Sequence, residues 1–253
     1  MTAGAGPAAG ADAAALPGAV DLRPAFARWG LAQRLQGGRG TCSVFTMAGA
    51  LEYALARRQQ QATVLSVEFL NWASNQAATN RDDGSFFSDL WSGFERFGAC
   101  PESDWPYQPR FDPALAPPGP VVASAARLKN AGLRLRWIKP WDVTTGLTDD
   151  HLLQIKRALA SQWPVCGGFR WPKQERWTNN VLVMAPPSGV VDGHSVLLVG
   201  YQDDPAQPGG GLFLIRNSGR GQHDAALTYE FARAYMNDAA FVESDPPPGA
   251  PSS

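Results

Sequence analysis

Cysteine is scarce in this chain: three residues among 253, at positions 42, 100 and 166. An odd number with no CxxC or metal-ligand spacing argues against a disulfide framework and against a cysteine-built metal site. A Cys100–Cys166 bridge is the most that could form, so at least one thiol is left free. Excess charge of either sign is also lacking, with a formal net charge of -1. The densest basic cluster, Arg57-Arg58, reads as a solvated helix end. Nothing here steers the protein to nucleic acid or to an anionic membrane surface. No apolar run reaches the roughly 20 residues that span a bilayer. The opening stretch MTAGAGPAAGADAAALPGAV has neither the basic start nor the apolar centre of a signal peptide. It reads as a flexible Ala/Gly tail, and a cytoplasmic location is the expectation, with secretion after removal of a signal as the alternative.

What is present is a globular balance, 44% apolar and 18% charged, with nine Trp and twelve Phe. A chain of this length can bury a sizeable core as one large domain or two lobes. The aromatics suggest a packed core and an aromatic-lined cleft. No cofactor and no metal is expected.

The periodicity divides the chain. From Thr41, TCSVFTMAGALEYALARRQQ is apolar nearly all round at first and polar at its end, a helix that starts buried and emerges into solvent. Thr41 is placed to cap it. A second helix starts near Ser66, and a third spans Phe87 to Phe97 with Gly98 placed to end it. PALAPPGP at 113–120 reads as a crossing between lobes. Beyond it, Leu133 to Ile138 alternates as a strand and a helix covers about Thr148 to Ser161. Strands are expected at Pro164–Arg170, His194–Tyr201, Leu212–Arg216 and Ala239–Val242. Helix first and sheet later make an α+β protein. Its catalytic domain would run over 20–244, with a helical lobe at about 30–115 and a β lobe at about 116–244. Flexible tails would cover 1–19 and 245–253.

Cys42 opens the buried helix, where unpaired N–H groups and the macrodipole favour a thiolate. The glycine-rich run Gln36-Gly37-Gly38-Arg39-Gly40-Thr41 is a loop that exposes it, although a free cysteine is as often only a small core residue. Gln36 could turn its amide towards Cys42 and, with the Cys42 N–H, hold a developing oxyanion. Of the three histidines, His151 suits a helix cap and His223 an exposed loop. His194 opens the strand HSVLLVGY and faces another element as a base would. Asn217, at the end of the next strand, is placed to orient its imidazole. Taken singly, each has a structural reading; together they form a Cys/His/Asn constellation.

These blocks resemble the papain (C1-type) family of cysteine peptidases, as a divergent, bacterial-like member. The family's Gln-Gly-x-Cys-Gly-Ser-Cys-Trp is matched by Gln36 to Ser43, with the Gln-to-Cys spacing kept. Its Gly-His-Ala-Val-x-x-Val-Gly-Tyr is matched by Gly193 to Tyr201, and its Lys-Asn-Ser-Trp-Gly, more weakly, by Arg216 to Gly219. Leu65 to Glu68, Asp83 to Ser85, Trp105 to Tyr107 and Asp21 to Arg23 resemble further family blocks in the right order. The resemblance implies a papain-like two-lobed fold, a helical lobe plus an antiparallel β-sheet or barrel lobe, with the cleft between them. It implies a Cys42–His194–Asn217 triad with Gln36 in the oxyanion hole, acting on peptide or protein substrates and open to a proteinaceous inhibitor. Gly84 and Ser85 would pair with substrate backbone. Phe86, Phe87 and Ser195 would line a pocket for a large apolar side chain. An acyl transferase, ligase or cyclase using the same residues, and a decayed peptide-binding homologue, are the alternatives. Three departures stand out. Arg39 replaces the family's disulfide-forming loop cysteine, Ser43 replaces the Trp after the nucleophile, and Gly219 replaces the Trp that shields the His–Asn bond.

Overall fold

A computed structural model describes residues 15–129, 131–219 and 224–245; His223 and most of both expected tails lie outside these. Strand β1 (Ala19–Asp21) and the short helix α1 (Arg23–Arg28) lead to α2 (Cys42–Gln59), α3 (Val67–Ala78) and α4 (Phe87–Phe97). Next come α5 (Gly119–Ala125), β2 (Leu133–Lys139), α6 (Asp149–Ala160), β3 (Val165–Pro172), β4 (Trp177–Thr178) and β5 (Val181–Leu182). The chain then forms β6 (Val190–Asp203), β7 (Gly211–Arg216), β8 (Asp224–Thr228), α7 (Tyr229–Tyr235) and β9 (Met236–Ser244).

Helix α2 is the hub. Val44, Met47, Ala48, Ala50, Leu51, Ala54 and Leu55 are all fully buried, because the helix is packed by α3 and α4 on one side and by β3, β6 and β9 on the other. A helix covered all round needs apolar residues all round, and its start satisfies this. Thr41 does precede the helix, but its hydroxyl does not cap it; the hydroxyl bonds Tyr107 Oη at 2.6 Å instead. Ser66 does cap α3, accepting from the Phe69 N–H at 3.0 Å. His151 belongs to the capping box of α6, where its Nδ1 accepts from the Thr148 N–H.

The strands form one sheet in the order β2-β9-β3-β6-β7-β8-β5-β4, with β1 added against β6. All its pairs are antiparallel except β5–β8, which is parallel; the sheet is therefore mixed rather than purely antiparallel. Pairing starts upstream of Val20: Ala19 pairs Gln202, and Tyr201 Oη donates to the Pro17 carbonyl at 2.7 Å. The proline-rich crossing also ends in structure, since Pro118 stands at the N-terminus of α5. The central strand β6 carries His194 where it pairs with β3, opposite Phe169. Its neighbour β7 ends at Arg216, just before Asn217. Adjacent antiparallel strands thus bring positions 194 and 217 to one end of the sheet, and α2 meets that end with its first turn.

Candidate active site

Cys42 is the first residue of α2, in the turn whose N–H groups have no carbonyl four residues back. It is half-buried, whereas Cys100 and Cys166 are buried, and all three thiols are free. Burial alone would raise the Cys42 pKa. The hydrogen bond and charge of His194, with backbone bonds at Ser195 and Ser43, outweigh it and hold the thiol below its ordinary value. His194 answers in kind. Burial would lower its pKa, but Cys42, the bond to Asn217 and the charge of Glu175 bring it above the usual imidazole value. Both shifts favour thiolate and imidazolium together. The other two cysteines go the opposite way: burial pushes Cys100 up to about 11 and raises Cys166 still more.

The His194 Nε2–H donates to Asn217 Oδ1 at 2.8 Å, which leaves Nδ1 for the thiol. Asn217 is fully buried, and its Oδ1 also accepts from the Gly219 N–H at 2.9 Å. Two donors on one atom fix which end of the amide is oxygen. Among the described residues Asn217 Nδ2 has no hydrogen-bond partner.

Gln36 joins the two halves of the site. Its N–H donates to the Ser218 carbonyl, and its Oε1 accepts from Ser218 Oγ at 2.9 Å. Its Nε2 donates to the Arg39 carbonyl at 2.8 Å, which leaves a second N–H on that nitrogen. Gln33 Nε2 donates to the Asn217 carbonyl. The loop before Cys42 is thereby sewn to the loop that carries Asn217.

The wall beside Cys42 is held by charge. Arg39, nearly fully buried, donates to Asp83 Oδ1 from Nε at 3.0 Å and from Nη2 at 2.9 Å. Its Nη1 donates to Glu68 Oε2 at 2.5 Å and to the Gln108 carbonyl at 2.9 Å. The guanidinium also lies 4.5 Å from the Tyr107 ring centre. An ion-pair cluster thus stands where the resemblance implies a disulfide. It presses the two loops together: a Cβ on Gly84, whose φ is +110°, would lie 2.3 Å from the Gly40 carbonyl oxygen. Only glycine fits that approach at that φ.

A cleft of about 310 Å³ opens beside Cys42 and His194, and Gly84, Ser85, Phe86, Phe87 and Ser195 all line it. The N–H groups of the first two are already engaged, Gly84 with Asn71 Oδ1 at 3.0 Å and Ser85 with Ser43 Oγ at 3.2 Å. Phe86 and Trp141, each about half exposed, meet edge to face at 5.2 Å on the rim. The sequence reading missed Trp141, Phe169 and Asp238 among the lining residues. Burial pushes the Asp238 carboxyl up to about 6, against the pull of Lys139 and the Gly168 backbone. Among the described residues no group of His, Cys, Asp and Glu is arranged to hold a metal ion, and no helix is long and apolar enough to cross a membrane.

Known proteins agree with this architecture. The structure matches xylellain, a cysteine protease from Xylella fastidiosa, at a TM-score of 0.70 and 22% identity, covering 92% of this chain and 88% of that one. It matches a digestive procathepsin L of Tenebrio molitor at 0.64 and 20% identity, covering 92% and 71%. The cysteine protease and lectin-like domains of a Clostridium difficile surface-layer-associated protein match at 0.64 and 18%, covering 92% and 53%. The chain therefore has the papain-like protease fold. In sequence it is 26% identical over 194 residues to a peptidase C1-like protein of Acanthamoeba polyphaga mimivirus, covering 72% of this chain. The chain spans 58% of that relative's length. No family model matches.

Proposed function

We propose that the protein is a cysteine peptidase in which Cys42 is the nucleophile, His194 the base and Asn217 the residue that orients it. One observation carries the reading: a thiol of lowered pKa at a helix N-terminus faces an imidazole of raised pKa whose far nitrogen is bonded to a buried amide. The Cys42 sulfur attacks the scissile carbonyl carbon, and the carbonyl oxygen takes up negative charge. The free N–H of Gln36 and the Cys42 N–H stabilise that charge. The C–N bond breaks as His194 gives its proton to the departing amine. Water, deprotonated by His194, then attacks the thioester, and the C–S bond breaks to release the acid and restore the thiolate.

The substrate is a peptide or protein laid along the cleft past residues 84–87. With the N–H groups of Gly84 and Ser85 internally bonded, their carbonyls are the groups left to pair with substrate backbone. Phe87, Phe169 and the Phe86–Trp141 pair suit a large apolar side chain, with Asp238 adding one titratable group to the lining. The charge-held wall and the three free thiols suit a reducing compartment, which supports the cytoplasm as the location.

A thiol-directed epoxide should label Cys42 alone, with Cys100 and Cys166 protected by burial, as read by peptide mass spectrometry. Peptide hydrolysis that survives Cys42→Ala would overturn the assignment.

A further inference from the structure

The loop after β3 holds one carboxylate between two indoles beside the proposed base. The Trp171 Nε1–H donates to Glu175 Oε1 at 2.8 Å, and the Trp177 Nε1–H donates to Glu175 Oε2 at 3.1 Å. Trp171 is buried, and its ring lies 4.7 Å from the His194 ring, tilted by 61°. Phe169 and Phe231 also pack against Trp171 edge-on, at 6.0 and 5.7 Å. Among the described residues of the loop after β7, 217–219, no aromatic side chain offers such cover. Its Gly219 stands so near that a Cβ there would already be 3.6 Å from His194 Cε1, yet it has no side chain.

An imidazole has a broad, soft χ2 torsion, and the single bond to Asn217 restrains only one point of the ring. A second restraint is needed to keep Nδ1 aimed at the thiol. An indole has the same soft torsion, so it holds a neighbour in place only if it is itself held. Glu175 does this by accepting from Trp171, and Trp177 takes up the other carboxylate oxygen, so that the exposed Glu175 is fastened at both ends.

We infer that Trp171, Glu175 and Trp177 form a bracket that positions His194: Trp171 sets the ring plane and shields the His194–Asn217 bond from water, and Glu175 locks Trp171 and places a negative charge near the imidazolium. None of the three touches the reacting atoms; they are positioning residues. The charged groups that act on His194 are Cys42 from α2 and Glu175 from this loop, while Asp82, Asp83 and Asp238 also line the cleft.

The inference rests on the peptidase reading only for its kinetic readout. The test uses the full chain with Trp171→Ala, Trp171→Phe and Glu175→Gln, measuring kcat and KM on a fluorogenic peptide and the His194 titration by NMR. Trp171→Ala should lower kcat by about tenfold or more with KM unchanged, and Trp171→Phe should recover part of the loss. Glu175→Gln, an exposed change that leaves folding intact, should move the His194 titration to lower pH and pull in the alkaline limb of the rate profile. If Glu175→Gln leaves both the titration and the rate profile as in the wild type, the bracket is wrong, whatever Trp171→Ala does. If the wild type hydrolyses no peptide while the titration still moves, the bracket stands and the peptidase reading falls.

Discussion

At the scale of single residues, the opposed shifts of Cys42 and His194 should set the pH range of the proposed activity. The thiol is drawn below its ordinary pKa and the imidazole above its own, each by the other's charge and hydrogen bond, and the two groups titrate as a unit. A profile of kcat/KM against pH should therefore be bell-shaped, its acid limb due to loss of the thiolate and its alkaline limb to loss of the imidazolium. Alkylation of Cys42 should follow the same acid limb. An ordinary thiol curve would instead match a decayed binding protein. Asn217→Ala removes the acceptor at Nε2 and should cut kcat on the order of a hundredfold, with Asn217→Asp as the variant that restores an acceptor. That Cys42, His194, Asn217 and Gln36 come together was legible in the sequence because each sits in a short block of recognisable spacing. Trp171 was not readable. Its tie to His194 runs across the β3–β6 register, and only the inward alternation of Phe169 and Trp171 around the exposed Arg170 hinted at it.

At the scale of elements, the loop before α2 depends on a buried cation. Arg39→Met leaves Glu68 buried without its partner, and Asp83 also loses its cation. Breaking such a cluster costs about 3–5 kcal/mol, and at roughly 2–4 °C per kcal/mol for a chain near this size the thermal midpoint should drop by about 10 °C. A midpoint unchanged in a thermal melt would show that the cluster does not hold the wall. The sequence carried the clue, because Arg39 stands where the family resemblance implies a disulfide-forming cysteine. Long elements with strong patterns were legible: α4 occupies the expected Phe87–Phe97, and β2, β7 and α6 fall within a residue or two. The short ones were not. Strands β4 and β5 have two residues each, and they are set by backbone partners rather than by their own side chains. Helix α7 follows directly from β8, with Thr228 capping it, so its apolar residues read equally well as strand.

At the scale of the whole molecule, Asp238 couples the cleft to stability. Its pKa in the fold, about 6, lies above the ordinary 3.8, so the folded protein binds the extra proton between those values. Stability from this group is full below about pH 4 and is lost as pH rises through 6, a change of about 3 kcal/mol. Asp238→Asn should flatten that part of the stability curve, measured by denaturant melts at pH 4 and pH 7. The Arg39 cluster has a consequence for how the molecule is made and kept. A cleft fastened by sulfur places an exchangeable bond near a reactive thiolate, and thiolates attack such bonds. Here the proposed nucleophile has no sulfur partner to scramble with, since Cys100 and Cys166 are buried and free. Biosynthesis then needs neither an oxidant nor an isomerase, and refolding in strong reductant should return as much activity as refolding in a glutathione buffer. The reductant that keeps Cys42 alive leaves the architecture around it untouched.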